Sequence, residues 1–168
     1  MAAGVWRAQP VVTAEGFADA YIAGCRTAEP ALAGLAPVVV DVRGVGWILV
    51  VFAGPSRAYL CRTRLVDPDV VEAVMPIDVP SETLADDGID IALYTSVTSA
   101  GAARILLVGR VGPVASLVIA RFDDEKYIFG SHAGGWYVMW WAGTVAMAGV
   151  SATNNAHVVL SDAVGTLR

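Results

Sequence analysis

The chain has two histidines, His132 and His157, so any acid–base pair or catalytic triad that relies on histidine must use one of them. Ser131 directly precedes His132, and Asp162 follows His157 by five residues. The sequence contains no Gly-x-Ser-x-Gly elbow, the turn that presents a nucleophilic serine. We therefore predict structural or solvated histidines and no enzymatic activity. A hydrolase that uses Ser131 or His132 with a distant acid is the weakest alternative.

Metal and cofactor sites have equally little support. Acidic residues cluster at Asp86-Asp87 and at Asp123-Asp124-Glu125, beside predicted turns and without the Asp-x-Asp-x-Asp-Gly order of a calcium loop. The segment Gly109-Arg110-Val111-Gly112 lacks the spacing of a dinucleotide-binding loop. These patterns favour solvated loop tips and predict neither a metal ion nor a cofactor.

The two cysteines, Cys25 and Cys61, do not form a Cys-x-x-Cys pair, and no histidine lies near them in the sequence. This spacing disfavours a zinc site. Their number permits one disulfide or two buried thiols, and counting alone does not choose between them.

Composition excludes several classes of protein. Hydrophobic residues make up 56% of the 168 residues and charged ones 16%, whereas about a quarter of an average soluble domain is charged. A disordered chain is therefore excluded. The net charge is −5 and the basic residues are scattered, which disfavours nucleic acid because phosphate binding requires a basic surface. Apolar runs are much shorter than the roughly 18 residues of a membrane-spanning helix.

The aromatic run Trp136-Tyr137-Val138-Met139-Trp140-Trp141 is the least common feature of the sequence. In a strand it would place large rings on both faces, since successive side chains point to opposite sides. One face is expected to be core. The other is expected to be packed under another element or, alternatively, exposed as a surface that binds a ligand or a protein.

These residues require elements to position them, and the first is a helix. Helical periodicity predicts one amphipathic helix over 14–27, with Thr13 as its N-cap and Glu15 in its first turn. The residues expected to share one face are Phe17, Tyr21, Cys25 and Ala28.

After residue 37 the period changes to two, which is typical of strands. In 38–43, for example, Val38, Val40 and Val42 lie on one side, and Asp41 and Arg43 on the other. The predicted strands are 38–43, 47–52, 58–64, 89–98, 103–109, 114–121, 126–132, 136–141 and 157–161. Residues 65–88 are predicted to be irregular, with a short helical turn around 69–75. We predict a mainly β (α+β) fold, an antiparallel β-sandwich or open barrel of about nine strands with one N-terminal helix.

The chain is expected to form a single β-rich domain over 13–168, preceded by a short N-terminal segment over 1–12. Met1-Ala2-Ala3-Gly4-Val5-Trp6-Arg7 has no basic region or long apolar region of a signal peptide. It is similar to the end of a membrane span, where Trp and Arg lie at the interface. We therefore expect a juxtamembrane segment whose N-terminal anchor is missing.

Several segments together resemble extracytoplasmic domains of actinobacterial membrane proteins, including anti-sigma-factor-like ectodomains. The segments are Val40-Asp41-Val42-Arg43-Gly44 to Cys61, Gly109 to Pro113 with the strand 114–121, Gly134 to Gly143, and Ser161 to Leu167. The resemblance covers about half of the chain, and the motifs that carry it are structural. The chain departs from the pattern at Ala142, where many members have proline.

The resemblance implies a membrane-anchored domain in an oxidising compartment, where Cys25 and Cys61 would pair and attach the helix to the third strand. The leading functional hypothesis is a non-catalytic sensing or binding domain for a protein or cell-envelope component. The alternative is a carrier of an apolar small molecule in a barrel-like interior lined by Trp47, Tyr59, Trp136 and Trp140. Trp141 on the aromatic strand completes the set of candidate ligand-binding residues.

Overall fold

A computed structural model describes residues 7–156 and 158–167. The chain divides into two compact units, Met1–Val79 and Pro80–Arg168, called here the first and the second unit. The described residues form one α-helix and twelve strands in three four-stranded antiparallel sheets, and none of the sheets closes into a barrel. The predicted mainly β, sandwich-like α+β class is thereby confirmed. The single-domain boundary 13–168 stays a prediction.

The elements of the first unit are α1 (Asp19–Ala28), a 3₁₀ turn (Pro30–Leu32), β1 (Ala36–Val42), β2 (Trp47–Ala53), β3 (Ala58–Arg64) and β4 (Asp67–Ile77). Those of the second unit are β5 (Leu93–Ser99), β6 (Ala102–Arg110), β7 (Leu117–Arg121), β8 (Tyr127–Phe129), β9 (Ser131–Ala133), β10 (Trp136–Ala142), β11 (Gly149–Thr153) and β12 (Val159–Ala163).

The first unit is one sheet, in the order β1-β2-β3-β4, with α1 packed on it. The helix is shorter than predicted. It begins at Asp19 after Ala18, which provides no side-chain cap, so the assignment of Thr13 as N-cap was wrong. Gly16, at φ +75°, has a left-handed conformation that ends any regular helix at this point. Tyr21 and Cys25 are buried as predicted, whereas Phe17 is exposed.

Cys25 and Cys61 form a disulfide whose Cα atoms are 6.1 Å apart, which confirms the predicted pairing. Both residues belong to the core cluster beneath the helix, together with β2 side chains such as Val50 and Phe52. Two hydrogen bonds add to this attachment: Tyr21 Oη donates to the Leu65 carbonyl at 2.6 Å, and Arg26 Nη2 donates to the Leu35 carbonyl at 3.1 Å. The bridge therefore attaches α1 to the third strand.

The charged side of the first predicted strand is completely buried. Asp41 and Arg43 have no solvent exposure, and the Arg43 guanidinium donates from Nε and Nη2 to the two Asp41 carboxylate oxygens at 2.9 and 3.0 Å. Arg43 Nη1 also donates to the Ala8 carbonyl at 2.8 Å, and the Val11 amide donates to the Val42 carbonyl at 2.7 Å. The ion pair therefore attaches the described part of the N-terminal segment to the end of β1.

Strand β4 lies where an irregular segment was expected, and the helical turn predicted around 69–75 was wrong. β4 forms the edge of its sheet and contains Pro68 and Pro76. Proline cannot donate a ladder hydrogen bond, so it is tolerated at a sheet edge. The pairing with β3 also shifts register twice, between Arg62 and Arg64. These irregularities remove the period-two pattern from the sequence.

The second unit contains two sheets, a second sheet in the order β5-β6-β10-β9 and a third sheet in the order β12-β11-β7-β8. Residues 126–132, predicted as one strand, form β8 in the third sheet and β9 in the second. The change of sheet occurs at Gly130, where a Cβ atom would lie 2.7 Å from Met139 Cε and 3.5 Å from Val118 Cβ. Met139 of the second sheet therefore packs close to Val118 of the third, as in a sandwich whose corner is made by a strand that changes sheets.

The segment Gly109-Arg110-Val111-Gly112 is a structural junction. A Cβ atom on Gly109 would lie 1.9 Å from the Asp90 carbonyl oxygen, and one on Gly112 would lie 2.1 Å from that of Asp86, so both positions require glycine. Arg110 donates from Nε to the Asp90 carboxylate at 2.8 Å and from Nη1 to the Glu82 carbonyl at 2.9 Å. These contacts fix the loop before β5 against β6.

Tyr137 supplies a pH-dependent contribution to stability at this junction. Its hydroxyl donates to the Asp90 carbonyl at 2.8 Å, and complete burial, followed by the nearby Asp90 carboxylate, raises the Tyr137 pKa well above 10.0. The folded protein therefore keeps a proton that the unfolded chain loses above pH 10. The resulting stability is complete below that pH and is lost as the pH rises from there through the higher pKa of the folded state.

We expect the free energy of unfolding in urea to fall as the pH is raised from about 9 to about 11. The decrease should be smaller for Tyr137→Phe, which has no proton to lose but starts from a lower stability because its hydrogen bond is absent. Equal slopes for the two proteins would contradict the assignment to Tyr137.

Within the residues that the structure describes, no helix is long and apolar enough to cross a membrane. Residues 1–6, on which the expectation of a membrane-span end chiefly rests, lie outside the described part of the chain. The membrane anchor stays a prediction.

Candidate functional site

The candidate site lies on one face of the third sheet, which is called here the groove face. Neighbouring strands place Ile119 opposite Ser151 and Phe129, and Arg121 opposite Tyr127. Because side chains alternate along a strand, residues 118, 120, 150 and 152 point to the other side. Those four are all buried and form the apolar side of this sheet within the second unit. The groove face is thus the side of the sheet opposite these four residues.

The groove face forms an open cavity of about 350 Å³, which is near the lower end of the range for small-molecule sites. It is lined by Ile119, Arg121, Tyr127, Phe129, Ser151, Thr153 and Val159. Tyr127 and Val159 are each about half exposed and stand on the two outer strands, β8 and β12. Ser151 and Thr153, on the inner strand β11, form a polar floor that is 1% and 3% exposed.

The Thr153 hydroxyl is the most informative atom of this floor. Its Oγ1 is buried and makes no hydrogen bond within the protein. A polar group left without a partner costs about 1–3 kcal/mol, so such atoms are rare in native proteins. Arg121 Nε is a second buried polar atom without a partner in the same cavity lining. Both atoms are shielded from solvent, so neither faces the open space of the cavity.

The charge of Arg121 is balanced within the site. Its Nη2 donates to Asp162 Oδ1 at 2.9 Å, and the Ser151 hydroxyl donates to the same carboxylate oxygen. Asp162 faces Ser151 across the β11–β12 ladder, so the backbone register itself sets this contact. The charged side chains of the site therefore balance each other.

The predicted ligand-binding aromatics lie elsewhere. Trp47 belongs to the first unit, is 1% exposed, and has the Arg62 guanidinium 4.4 Å from its ring centroid. Trp136, Trp140 and Trp141 belong to β10 of the second unit and are all buried. Both faces of the aromatic strand are thus covered, as the packed interpretation of this run predicts.

Trp141 illustrates how these rings pack. Its Nε1 donates to the Val145 carbonyl at 2.9 Å, Phe122 meets its ring edge-on with centroids 5.3 Å apart, and the Tyr94 ring lies 6.2 Å away. Tyr94 in turn accepts the Met147 amide, and burial raises its pKa. These contacts fill the space between β10 and its neighbours in the second unit.

Tyr59 lines a different, more open cavity of the first unit, of about 300 Å³ between the 54–58 turn and the end of β4. Arg57 and Asp78 also line it. Of the five aromatic candidates, Tyr59 alone lines either of these two cavities.

The residues considered for catalysis are the two histidines and Ser131. His132 Nε2 hydrogen-bonds the Ser116 carbonyl at 3.1 Å, which gives it a structural contact between β9 and the loop before β7. Ser131 and His132 are consecutive residues of β9 and therefore point to opposite faces. His157 lies outside the described residues. No group of three or more His, Cys, Asp or Glu side chains in the described part is arranged to hold a metal ion.

Sequence reasoning missed the groove residues because most lie on strands that are short or composed of small residues. β11, Gly149–Thr153, was not predicted as a strand, so Ser151 and Thr153 had no face assigned to them. The alternation of Ser151 and Thr153 with Val150 and Ala152 is the period-two signal of a strand, although all five residues of β11 are buried.

Comparison with known protein families, with curated protein sequences and with solved structures finds no match to this chain.

Proposed function

We propose that this chain is a non-catalytic sensing or binding domain that works outside the cytoplasm and recognises a cell-envelope component or a protein through the groove face. The observation that carries the proposal is the open groove itself, in which Tyr127 and Val159 leave about half of their side chains exposed. Apolar surface left uncovered in a concave site usually marks a place where a partner or a ligand binds.

The disulfide supports the extracytoplasmic part of the proposal. Structural disulfides persist in oxidising compartments and are rare in the cytosol. The bridge joins helix to sheet inside the core, with both cysteines completely buried. A bond in this position contributes to the fold itself. The anchor that would hold the domain to a membrane remains the sequence-based expectation for the N-terminal side.

The compartment is tested by trapping the cysteines in cells that express the full-length gene. Cells are quenched in acid, denatured, and treated with a maleimide that adds mass to free thiols, before or after reduction. We expect no modification before reduction and two additions after it. In the Cys25→Ala control, Cys61 has lost its disulfide partner, so its thiol should react without reduction. Free thiols in the quenched wild-type protein would overturn the extracytoplasmic location.

The recognition surface is tested by photo-crosslinking in the same cells. A photoreactive phenylalanine replaces Tyr127 at the rim of the groove or, as the control, the exposed Val66 of the first unit. We expect a discrete adduct at position 127 that disappears when Val159→Trp fills the groove and persists with Val164→Trp, an exposed position that does not line it. Adducts that are equal at positions 127 and 66, or none at 127, would overturn the groove face as the binding surface.

The second hypothesis, a carrier of an apolar small molecule, was based on an interior lined by tryptophans. The groove is lined by other residues, yet four of its seven lining side chains, Ile119, Tyr127, Phe129 and Val159, carry rings or aliphatic groups. An apolar small molecule in the groove therefore remains the second hypothesis.

A further inference from the structure

We propose that the outer edge of β5 pairs with β5 of a second copy of this chain, antiparallel and with two-fold symmetry about Val97. The pairing would join the second sheets of the two copies into one continuous sheet. This edge is separate from the groove face, which belongs to the third sheet. Three features of β5 support the pairing: an unprotected edge, backbone groups that point outward, and a sequence that matches its own reverse.

The edge of β5 lacks the protection that other edges have. Six strands form the edges of the three sheets in the described part of the chain. β4 contains two prolines, β8 and β9 have three residues each, and the pairing of β1 and of β12 with its neighbour shifts register. Prolines, short strands and bulges are features by which natural sheets avoid pairing with other chains. β5 has seven residues without proline or charge, and it pairs with β6 in continuous register.

The backbone of β5 presents alternate residues to the outside. The Gly143 amide donates to the Ala103 carbonyl and the Val111 amide to the Gly135 carbonyl, so the odd-numbered residues of β6 face β10. The even-numbered residues of β6 therefore face β5, because the hydrogen-bonding groups of successive residues point to opposite sides. The β5 residues opposite them are Leu93, Thr95, Val97 and Ser99. The amides and carbonyls that point away from β6 are those of Tyr94, Ser96 and Thr98.

The open part of this edge is the second half of β5. Gly165 lies beside the first half, where a Cβ atom on it would be 3.4 Å from Tyr94 Cδ1. In the second half Ser96 and Thr98 are exposed, and Val97 lies between them. A strand that pairs here is therefore centred near Val97.

The sequence of this half matches itself when it is reversed. Thr95-Ser96-Val97-Thr98-Ser99 has hydroxyl residues at equal distances on both sides of Val97. In an antiparallel pair centred on Val97, the two valines face each other and Ser96 faces Thr98 of the second copy. Both residues of that facing pair point their backbone groups outward, so they can exchange two hydrogen bonds. Valine pairs and hydroxyl pairs across strands also stabilise a sheet.

A second copy fits this edge better than an unrelated strand. Residues 91–103 carry no charge, so two copies of a chain with a net charge of −5 meet here without opposing like charges. Recognition of a foreign strand relies on pockets for its alternate side chains. Neither of the two cavities described above is lined by a β5 residue. A two-fold contact uses the same surface twice and obtains its complementarity from the strand itself.

Association is measured with the intact, oxidised chain by sedimentation velocity over a wide range of protein concentration. We expect a reversible monomer–dimer equilibrium that is weak, because one pair of short strands buries less area than a standard interface. Amide hydrogen exchange at Ser96 and Thr98 should slow as the concentration rises. Exchange at Val97, whose amide faces β6, should not depend on concentration in this way.

Charge variants test the edge. Ser96→Lys/Thr98→Lys places like charges opposite each other in both facing pairs and should raise the dissociation constant about 10-fold. Ser96→Glu/Thr98→Glu should do the same, and an equimolar mixture of the two variants should recover association as a heterodimer. The control is Ser81→Lys/Thr83→Lys, which changes the same residue types at the same spacing in an exposed loop of this unit and should leave association unchanged. Near-UV circular dichroism checks that each variant is folded.

One further variant tests the register. In Ser96→Lys/Thr98→Glu the introduced lysine faces the introduced glutamate of the second copy if the pair is centred on Val97. This variant should therefore associate at least as tightly as the wild type. A register centred on Ser96 or on Thr98 would place like charges opposite each other and weaken association.

The outcomes separate the edge from its register. A chain that stays monomeric at every concentration, or a dimer that Ser96→Lys/Thr98→Lys leaves intact, would overturn the pairing through β5. Recovery in the mixture together with weak association of Ser96→Lys/Thr98→Glu would overturn the register about Val97 and leave the edge as the contact. None of these results bears on the groove face, which crosslinking at position 127 tests separately.

Discussion

Replacing Asp41 with alanine is expected to lower the free energy of unfolding of the first unit by about 3–5 kcal/mol, the typical cost of removing one partner from a buried ion pair. The Arg43 guanidinium would remain fully buried while losing both oxygens that accept from its Nε and Nη2. Its contact with the Ala8 carbonyl would remain, but a peptide carbonyl does not neutralise a charge. Since whole domains are stable by only about 5–15 kcal/mol, this change alone would endanger the fold.

The effect is measured by urea unfolding together with hydrogen exchange in peptides that cover β1 and β2. Exchange should accelerate there and in residues 7–11, which Arg43 and its neighbours hold. Asp124→Ala removes the carboxylate of an exposed ion pair with Lys126 and serves as the control, which should leave unfolding unchanged. The double variant Asp41→Leu/Arg43→Met should recover most of the loss, because apolar side chains of similar volume can replace a buried pair. A loss below about 1 kcal/mol in the single variant would contradict the role assigned to the pair.

This ion pair also shows how far the sequence predicts the fold. Alternation of apolar and charged residues over 38–43 correctly predicts a strand, observed as β1 (Ala36–Val42), and places Asp41 and Arg43 on the same side. Alternation does not report whether that side meets solvent. Two opposite charges two residues apart on a strand share a face and can neutralise each other there. This neutralisation allows the face to be buried. Whether it is buried depends on packing, which periodicity does not encode.

The strands that were predicted and those that were missed differ in a physical way. β2 and β10 are buried along almost their whole length and carry continuous large apolar side chains, so they stand out in the sequence. β4 lies at an edge with two prolines, and β11 is built of small residues, so neither has a strong hydrophobic period. Gly130 divides the predicted strand 126–132 because the chain changes sheets there, a tertiary event without a local pattern.

The candidate site was less predictable than the fold for the same reason. Large aromatic residues attract attention as ligand contacts, yet in this protein Trp136, Trp140 and Trp141 are buried in the packed aromatic strand. The groove exists because one face of its short strands is left uncovered. This is a property of the assembled sheet. Tyr127 was identified only as part of a strand, and nothing in its sequence neighbourhood distinguishes it from a surface tyrosine.

Removing the disulfide is the second change with a large expected effect. The bond closes a loop between residues separated by 36 positions, and the chain-entropy model gives about 3–4 kcal/mol for a loop of this size. Cys25→Ala/Cys61→Ala should therefore lower the free energy of unfolding by at least this amount, because the alanines also leave space in a completely buried part of the core. Urea unfolding of the oxidised wild type, the reduced wild type and the double variant separates the two effects.

The helix should respond first to loss of this bond. α1 has ten residues and no side-chain N-cap, and isolated helices of fewer than about 12–15 residues are marginal in water. Without the covalent bond, its attachment depends on the packing of Tyr21 and on the hydrogen bonds of Tyr21 and Arg26 to the chain beneath. Hydrogen exchange in residues 19–28 should accelerate more than in β2 or β3 when the protein is reduced. If α1 exchanges as slowly as in the oxidised protein, side-chain packing alone holds the helix, and the disulfide stabilises the unit only by restricting the unfolded chain.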